Sequence, residues 1–132
     1  MAEKRFEGKL AVVTGGGAGI GRAISKRLAL EGARVAIFER DIISAAAVIE
    51  EIEAASSQAS WIEVDVSSEA SVQSAFDSLD RVDVLINNAG IASVGNVATT
   101  TGEEMDRVYN VNVKGVCPCA TAAIPRLKNS GI

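Results

Sequence analysis

Unbroken apolar runs alternate along this chain with longer stretches in which apolar residues recur every three or four positions. Lys9-Leu10-Ala11-Val12-Val13-Thr14 is a short run that stops at glycine, the pattern of a strand buried on both faces. Residues 20–31 carry Ile20, Ala23, Ile24, Arg27 and Leu28 at helical spacing, and Gly32 follows as a natural helix stop. Arg34-Val35-Ala36-Ile37-Phe38 predicts a second buried strand. Residues 41–55 predict a helix capped by Asp41, with Ile42, Ala45, Ile49 and Ile52 on one stripe. Ser60-Trp61-Ile62-Glu63-Val64 predicts a third strand. Ser67 or Ser68 then caps a helix running to about Leu79 through Val72, Ala75 and Phe76. Val82-Asp83-Val84-Leu85-Ile86 predicts a fourth strand that runs into Asn87-Asn88-Ala89-Gly90. After a loop of small residues, Thr101 or a neighbour caps one long helix, from about Gly102 to Leu127, through Met105, Val108, Val111, Val116 and Ile124.

The order is therefore βαβαβαβα. Right-handed crossovers make such strands parallel and put helices on both faces. The expected fold is α/β, a Rossmann-like doubly wound parallel sheet in three αβα layers, truncated after the fourth strand and fourth helix. At 132 residues, one domain spanning residues 1–132 is the natural reading.

Between the first strand and the first helix, five glycines fall in the seven positions Gly15 to Gly21. Each weakens local structure, by roughly 0.5–1 kcal/mol against alanine inside a helix. Their place explains them: a doubly wound sheet binds ligands at the carboxyl ends of its strands. A helix N-terminus offers backbone N–H groups to an anion, and glycine lets a phosphate approach them. The spacing narrows the ligand. A P-loop needs Lys and a hydroxyl after its last glycine, but Arg22 and Ala23 follow Gly21. Glycines at i, i+2 and i+5 also fail, since Gly15 and Gly17 lead to Ile20, and Gly17 and Gly19 lead to Arg22. What fits is T-G-x-x-x-G-x-G, as Thr14-Gly15, Gly19 and Gly21.

That pattern resembles the short-chain dehydrogenase/reductase family, and three further elements agree. Asp65-Val66 follows the third strand, where the family contacts adenine. Asn87-Asn88-Ala89-Gly90 resembles its NNAG after the fourth strand. Asn112, in Val111-Asn112-Val113-Lys114-Gly115, matches its helix asparagine. The resemblance runs from about Phe6 onward and implies cofactor-binding residues Gly15, Gly17, Gly19, Ile20, Gly21, Glu39, Arg40, Asp65, Val66, Asn88, Ala89 and Gly90. It implies mostly structural work for Asn87 and Asn88. Taken alone, Asp65 also suits a helix cap one turn early, and Asn112 a solvated helix position.

Glu39 lies 18 residues beyond Gly21, near the distance at which an acidic residue binds the adenosine ribose. A carboxylate accepts from both ribose hydroxyls and repels a 2′-phosphate. NADP-preferring relatives often carry a basic residue just before the second motif glycine, where this chain has Ala18. The expected cofactor is NAD, with NADP less favoured. Arg40 is the counter-evidence, because a guanidinium there could pair with a phosphate or simply be solvated.

In the resembled family a Tyr delivers the proton, a Lys four residues later lowers its pKa, a Ser orients the substrate oxygen, and the helix Asn supports a proton path. Only Asn112 has a counterpart. The single tyrosine, Tyr109, is followed four residues on by Val113 and is expected to be a packing residue. Ser130 is not placed to be the catalytic Ser. The resemblance thus implies the cofactor-binding N-terminal part of an oxidoreductase that transfers hydride between an alcohol and a carbonyl, a fragment acting with a small-molecule substrate in the complete enzyme, with a homo-oligomer as the assembly such relatives often form. The alternatives are a non-catalytic dinucleotide-binding or interaction module and a domain for another nucleotide-like ligand. Two physical strains are expected as well. Val82–Ile86 would be an unpaired sheet edge, and the apolar face of the last helix would lack neighbours. Pro118 would fall mid-helix, at about 3 kcal/mol or a kink.

Composition narrows the chemistry further. Histidine is absent, which removes a Ser-His-Asp triad, a His base and the common His-containing zinc sites; no metal is expected. A net charge of −4 argues against nucleic acid as the main partner. Cys117 and Cys119 read as small apolar fillers in a reducing compartment. MAEKRFEGKL has no apolar run and no stretch of about 18 apolar residues occurs, so a soluble cytoplasmic protein is expected, with no membrane partner.

Overall fold

The computed structural model describes residues 3–127 and residue 132. Four parallel strands, β1 (Leu10–Thr14), β2 (Arg34–Glu39), β3 (Gln58–Glu63) and β4 (Val84–Ile86), form a sheet of order β3-β2-β1-β4. Between and after them run α1 (Gly19–Leu30), α2 (Ile42–Ala54), α3 (Glu69–Asp77), α4 (Gly102–Tyr109), a π-helical turn (Asn110–Lys114) and α5 (Val116–Ala123). The register sets Val12 of β1 opposite Ala36 of β2 and Leu85 of β4.

Both faces of β1 are buried, and the two-residue period splits its side chains between two cores. Leu10 and Val12 join Ala36, Phe38, Val72, Phe76, Cys119 and Ala123, under α3 and α5. Ala11 and Val13 join Val35, Ile37, Leu28, Ala45, Val48 and Ile52, under α1 and α2. That is the αβα sandwich the apolar runs predict. Phe38 and Phe76 meet edge to face at 5.1 Å between ring centroids, a favourable aromatic geometry.

Helix starts follow the side-chain caps. Asp41 accepts from the Ile43 amide at 3.0 Å, Ser68 from Ser71 at 3.2 Å and Thr101 from Glu104 at 3.1 Å. Two predicted stripes differ from the buried ones. Helix α1 buries Gly21, Ser25, Leu28 and Ala29, while Ile20 and Ala23 face outward. Helix α2 buries Ala45, Val48 and Ile52, while Ile42 is exposed and Ile49 half-buried. Ile42 opens its helix, and side chains there lean toward the N-terminus, past the end of the sheet.

The last predicted helix is three pieces rather than one. The π-helical turn interrupts it, and α5 begins at Val116. Pro118 is therefore third in a new helix, where its missing N–H has no intrahelical acceptor to lose; the mid-helix penalty does not arise. None of α4 is buried, and Met105, Val113 and Val116 are exposed, as expected of a face without neighbours. Tyr109 is 53 % exposed, so it is not a packing residue: it sits on the same uncovered helix. Only Cys119 fills core space; Cys117 is exposed.

The outer edge of β4 is not bare. The Ile132 amide donates to the Asp83 carbonyl at 2.7 Å, and the Leu85 amide donates to the Ile132 carbonyl at 2.6 Å. Ser130 lies outside the described residues. Among the described residues no helix is long and apolar enough to cross a membrane.

At the opposite, amino-terminal end of the sheet, Phe6 donates to the Glu31 carbonyl at 2.9 Å, and the buried Glu31 carboxylate takes Arg5 at 2.7 Å and Arg27 at 2.9 Å. The Arg5 guanidinium holds that carboxyl below its ordinary range against the opposing effect of burial.

Candidate functional site

Every strand ends at the same rim, and a groove of about 360 Å³ opens there. Of the residues singled out from the sequence, Gly15, Ile20, Glu39, Arg40, Asp65, Val66, Asn88, Ala89 and Gly90 line it. Ile20, 75 % exposed, has its place here rather than in the core.

The β1–α1 turn is laced to the β4 loop. The buried Thr14 hydroxyl accepts from the amides of Asn88 (3.0 Å) and Ala89 (2.9 Å). In return the Asn88 side-chain amide donates to the carbonyls of Thr14 (3.1 Å) and Gly15 (3.2 Å). The Asn88 side chain thus satisfies main-chain carbonyls at the end of β1, and the Thr14 hydroxyl satisfies main-chain amides after β4.

The glycines are not equivalent. A side chain on Gly21 would overlap the Gly15 carbonyl oxygen and the Asn88 amide. One on Gly17 would lie 3.0 Å from the Glu39 carboxylate. Gly16, absent from the predicted site, packs with a Cβ position 2.9 Å from the Ser25 hydroxyl. Gly19 alone in this turn has open space around its Cβ position, at a φ of +53° that side chains disfavour. The room at Gly17 and Gly21 is taken by the protein itself, and only Gly19 leaves room for something else. Helix α1 also differs at its start from α2, α3 and α4, which side chains cap: its N-cap is Ala18, which offers no side-chain acceptor.

Glu39 ends β2 with its carboxylate gathered by backbone donors. Oε2 accepts from Gly17 (3.1 Å), and Oε1 from Arg40 (3.0 Å) and Asp41 (3.3 Å). Asp65 organises the turn after β3 rather than capping α3. Its Oδ1 accepts from the Ser67 amide at 3.0 Å and hydroxyl at 2.6 Å, while Ser68 caps the helix. The Ser67 hydroxyl bond, aided by the Arg40 charge, holds the Asp65 carboxyl below its ordinary range. Two carboxylates held by hydrogen bonds therefore line one groove, and Arg40 lines it as well.

Asn112 lies in the π-helical turn and is not merely solvated. Its Oδ1 accepts from the Ile91 amide and its Nδ2 donates to the Ile91 carbonyl, both at 2.8 Å. It pins the loop leaving β4. The groove also takes in Ala18, Phe38, Val64, Ile91 and Val111, none of them assigned to the site from the sequence. All five adjoin residues that were assigned, Val111 beside Asn112 in the π-helical turn. Among the described residues no three acidic or sulfur ligands converge as a metal site would need.

The family model described as short chain dehydrogenase matches residues 9–131. Over 130 residues the chain is 38% identical to L-2,3-butanediol dehydrogenase of Corynebacterium glutamicum, covering 94% of this chain and 50% of that protein. It is similar to a dehydrogenase/reductase of Sinorhizobium meliloti 1021, with TM-score 0.91 and 36% identity over 98% of this chain and 53% of the other. It is also similar to a short chain dehydrogenase of Burkholderia cenocepacia J2315 solved in complex with NADP, with TM-score 0.86 and 41% identity over 93% of this chain and 52% of the other. The chain spans about half the length of the curated relatives it matches.

Proposed function

The chain belongs to the short-chain dehydrogenase family, and from that premise we propose that its groove binds a nicotinamide adenine dinucleotide, NAD in preference to NADP. The observation that carries this reading is the meeting of an uncapped glycine turn with the Glu39 carboxylate at one rim. The residues present fit such a group. Open space at Gly19 and the free first-turn amides of α1 suit a pyrophosphate. Glu39 suits the adenosine ribose hydroxyls, Asp65 and Val66 the adenine, and Asn88 to Gly90 the opposite wall, with Gly15, Gly17 and Gly21 shaping the turn and Ile20 covering it. Bound, the dinucleotide supplies a hydride acceptor or donor. Of this chain's own residues, Asn112 holds the loop after β4 through Ile91.

The preference for NAD rests on charge. A 2′-phosphate beside Glu39 meets a like charge, and unit charges 4 Å apart near a protein surface interact by about 4 kcal/mol. Ala18 brings no compensating cation. Arg40 on the groove wall favours the second reading, NADP, as does the NADP found in the Burkholderia cenocepacia relative.

Hydride transfer between a small alcohol and its carbonyl is proposed for the whole enzyme, since no Tyr-x-x-x-Lys pair occurs in these 132 residues. A cytoplasmic, homo-oligomeric enzyme built on a single dinucleotide-binding domain is part of the same proposal. Isothermal titration of the chain with NADH and NADPH tests it. NADH is expected to bind about tenfold or more tightly than NADPH, a fraction of the charge repulsion above. Equal or tighter NADPH binding would overturn the Glu39 assignment. Uptake of neither would overturn the reading of the groove.

A further inference from the structure

The single tryptophan of the chain, Trp61, lies on β3, the edge strand, opposite Ile37 of β2. Its ring is half-buried against the core under α1 and α2. Its indole N–H reaches past the end of that core and donates to the Glu39 carbonyl at 2.9 Å. The N–H of the same peptide unit, carried by Arg40, donates to the Glu39 carboxylate at 3.0 Å. One planar peptide group is thus held from both sides, its oxygen by Trp61 and its nitrogen by the side chain of the residue before it. Turning that peptide would break the indole bond and draw the carboxylate away from the Gly17 amide it also accepts from.

We propose that Trp61 is a positioning residue for cofactor specificity: through the Glu39–Arg40 peptide it fixes the carboxylate that separates a free ribose 2′-hydroxyl from a 2′-phosphate. The inference rests on the dinucleotide reading of the groove. An edge strand has one face of its ladder open, and the end of β2 turns at once into α2 at Ile42. Without the indole, the Glu39 carbonyl turns to solvent and the carboxylate gains rotational freedom. A mobile carboxylate accepts less well from ribose hydroxyls and repels a phosphate less. Trp61 therefore acts on the ratio between the two cofactors more than on binding as such.

The test uses the full chain titrated calorimetrically with NADH and with NADPH. Trp61→Phe keeps the ring and deletes the donor. Because the chain has one tryptophan, biosynthetic replacement by benzothienylalanine removes only the N–H from a ring of the same shape, which guards against a folding defect. Both are expected to raise the Kd for NADH roughly three- to tenfold, the worth of one hydrogen bond, and to leave NADPH unchanged or tighter. The effect should vanish in a Glu39→Ala background, as coupling through Glu39 requires. An unchanged cofactor ratio in folded variants, or an undiminished effect without Glu39, would overturn the role of Trp61 and leave the groove reading intact. Wild-type chain that takes up neither nucleotide would overturn both.

Discussion

Gly19→Ala and Gly21→Ala, two residues apart at the start of α1, should differ in what they damage. At Gly21 the new methyl falls on the Gly15 carbonyl oxygen and the Asn88 amide, with the Gly15 carbonyl carbon at 2.9 Å. Neither neighbour can yield freely. The Gly15 amide donates to Phe38 at 2.7 Å, and the Asn88 side chain donates to Thr14 and Gly15 at 3.1 and 3.2 Å. Overpacking of about 1–3 kcal/mol adds to two hydrogen bonds of about 1 kcal/mol each, so a loss of roughly 3–5 kcal/mol is expected. At Gly19 the methyl meets nothing within 4 Å, and only the φ of +53° opposes it, for about 1–2 kcal/mol. Urea unfolding followed by Trp61 fluorescence measures both. With a slope of about 2 kcal/mol per molar, Gly21→Ala should lower the midpoint by roughly 1.5–2.5 M and Gly19→Ala by less than about 1 M. Adding Asn88→Ala should not rescue Gly21→Ala, because the Gly15 oxygen remains. A Gly21→Ala midpoint equal to or above that of Gly19→Ala would refute the packing described here. Gly19→Ala is then the cleaner probe of the ligand: it should stay folded and lose NADH affinity.

Three other perturbations probe the core and the thiols. Phe76→Ala empties a fully buried position against Phe38 and should destabilise by about 3–5 kcal/mol in the same urea assay. Asp83 accepts from the buried Leu10 amide at 2.9 Å and from Arg81 at 2.7 Å, and the Arg81 bond holds its carboxyl below the ordinary range. Its folded pKa lies below its unfolded one, so its stabilisation is complete above about pH 4 and lost as pH falls through the folded value. Asp83→Ala should therefore cost about 1–3 kcal/mol near neutral pH, and its deficit against wild type should shrink on acidification; a pH-independent deficit would count against that linkage. Burial pushes the Cys119 thiol up to about 11, whereas Cys117 is exposed. A thiol-reactive dye should label one cysteine in the native chain and the second only on unfolding, and two fast equivalents would contradict the placement of Cys119.

Local pattern determined a good deal of this protein. The apolar runs of β1 and β2 required burial on both faces, and the hydroxyl or carboxyl residues before α2, α3 and α4 marked where those helices begin. The order of elements and the glycine turn placed the groove at the carboxyl ends of the strands, and most residues expected to line it do so. These features are legible because each depends on neighbours a few positions away. Tertiary structure alone decided the rest. Helical spacing put Ile20 and Ala23 on the apolar stripe of α1, but packing against the sheet turned Gly21 and Ser25 inward instead. Pro118 looked disruptive until a π-helical turn restarted the helix beneath it. Asn88 bonds Thr14 from 74 positions away and Asn112 holds Ile91 from 21. Periodicity reports which residues avoid water. Which neighbour covers them, and which backbone groups a polar side chain finds there, follows from packing between elements that meet only once the whole sheet has assembled.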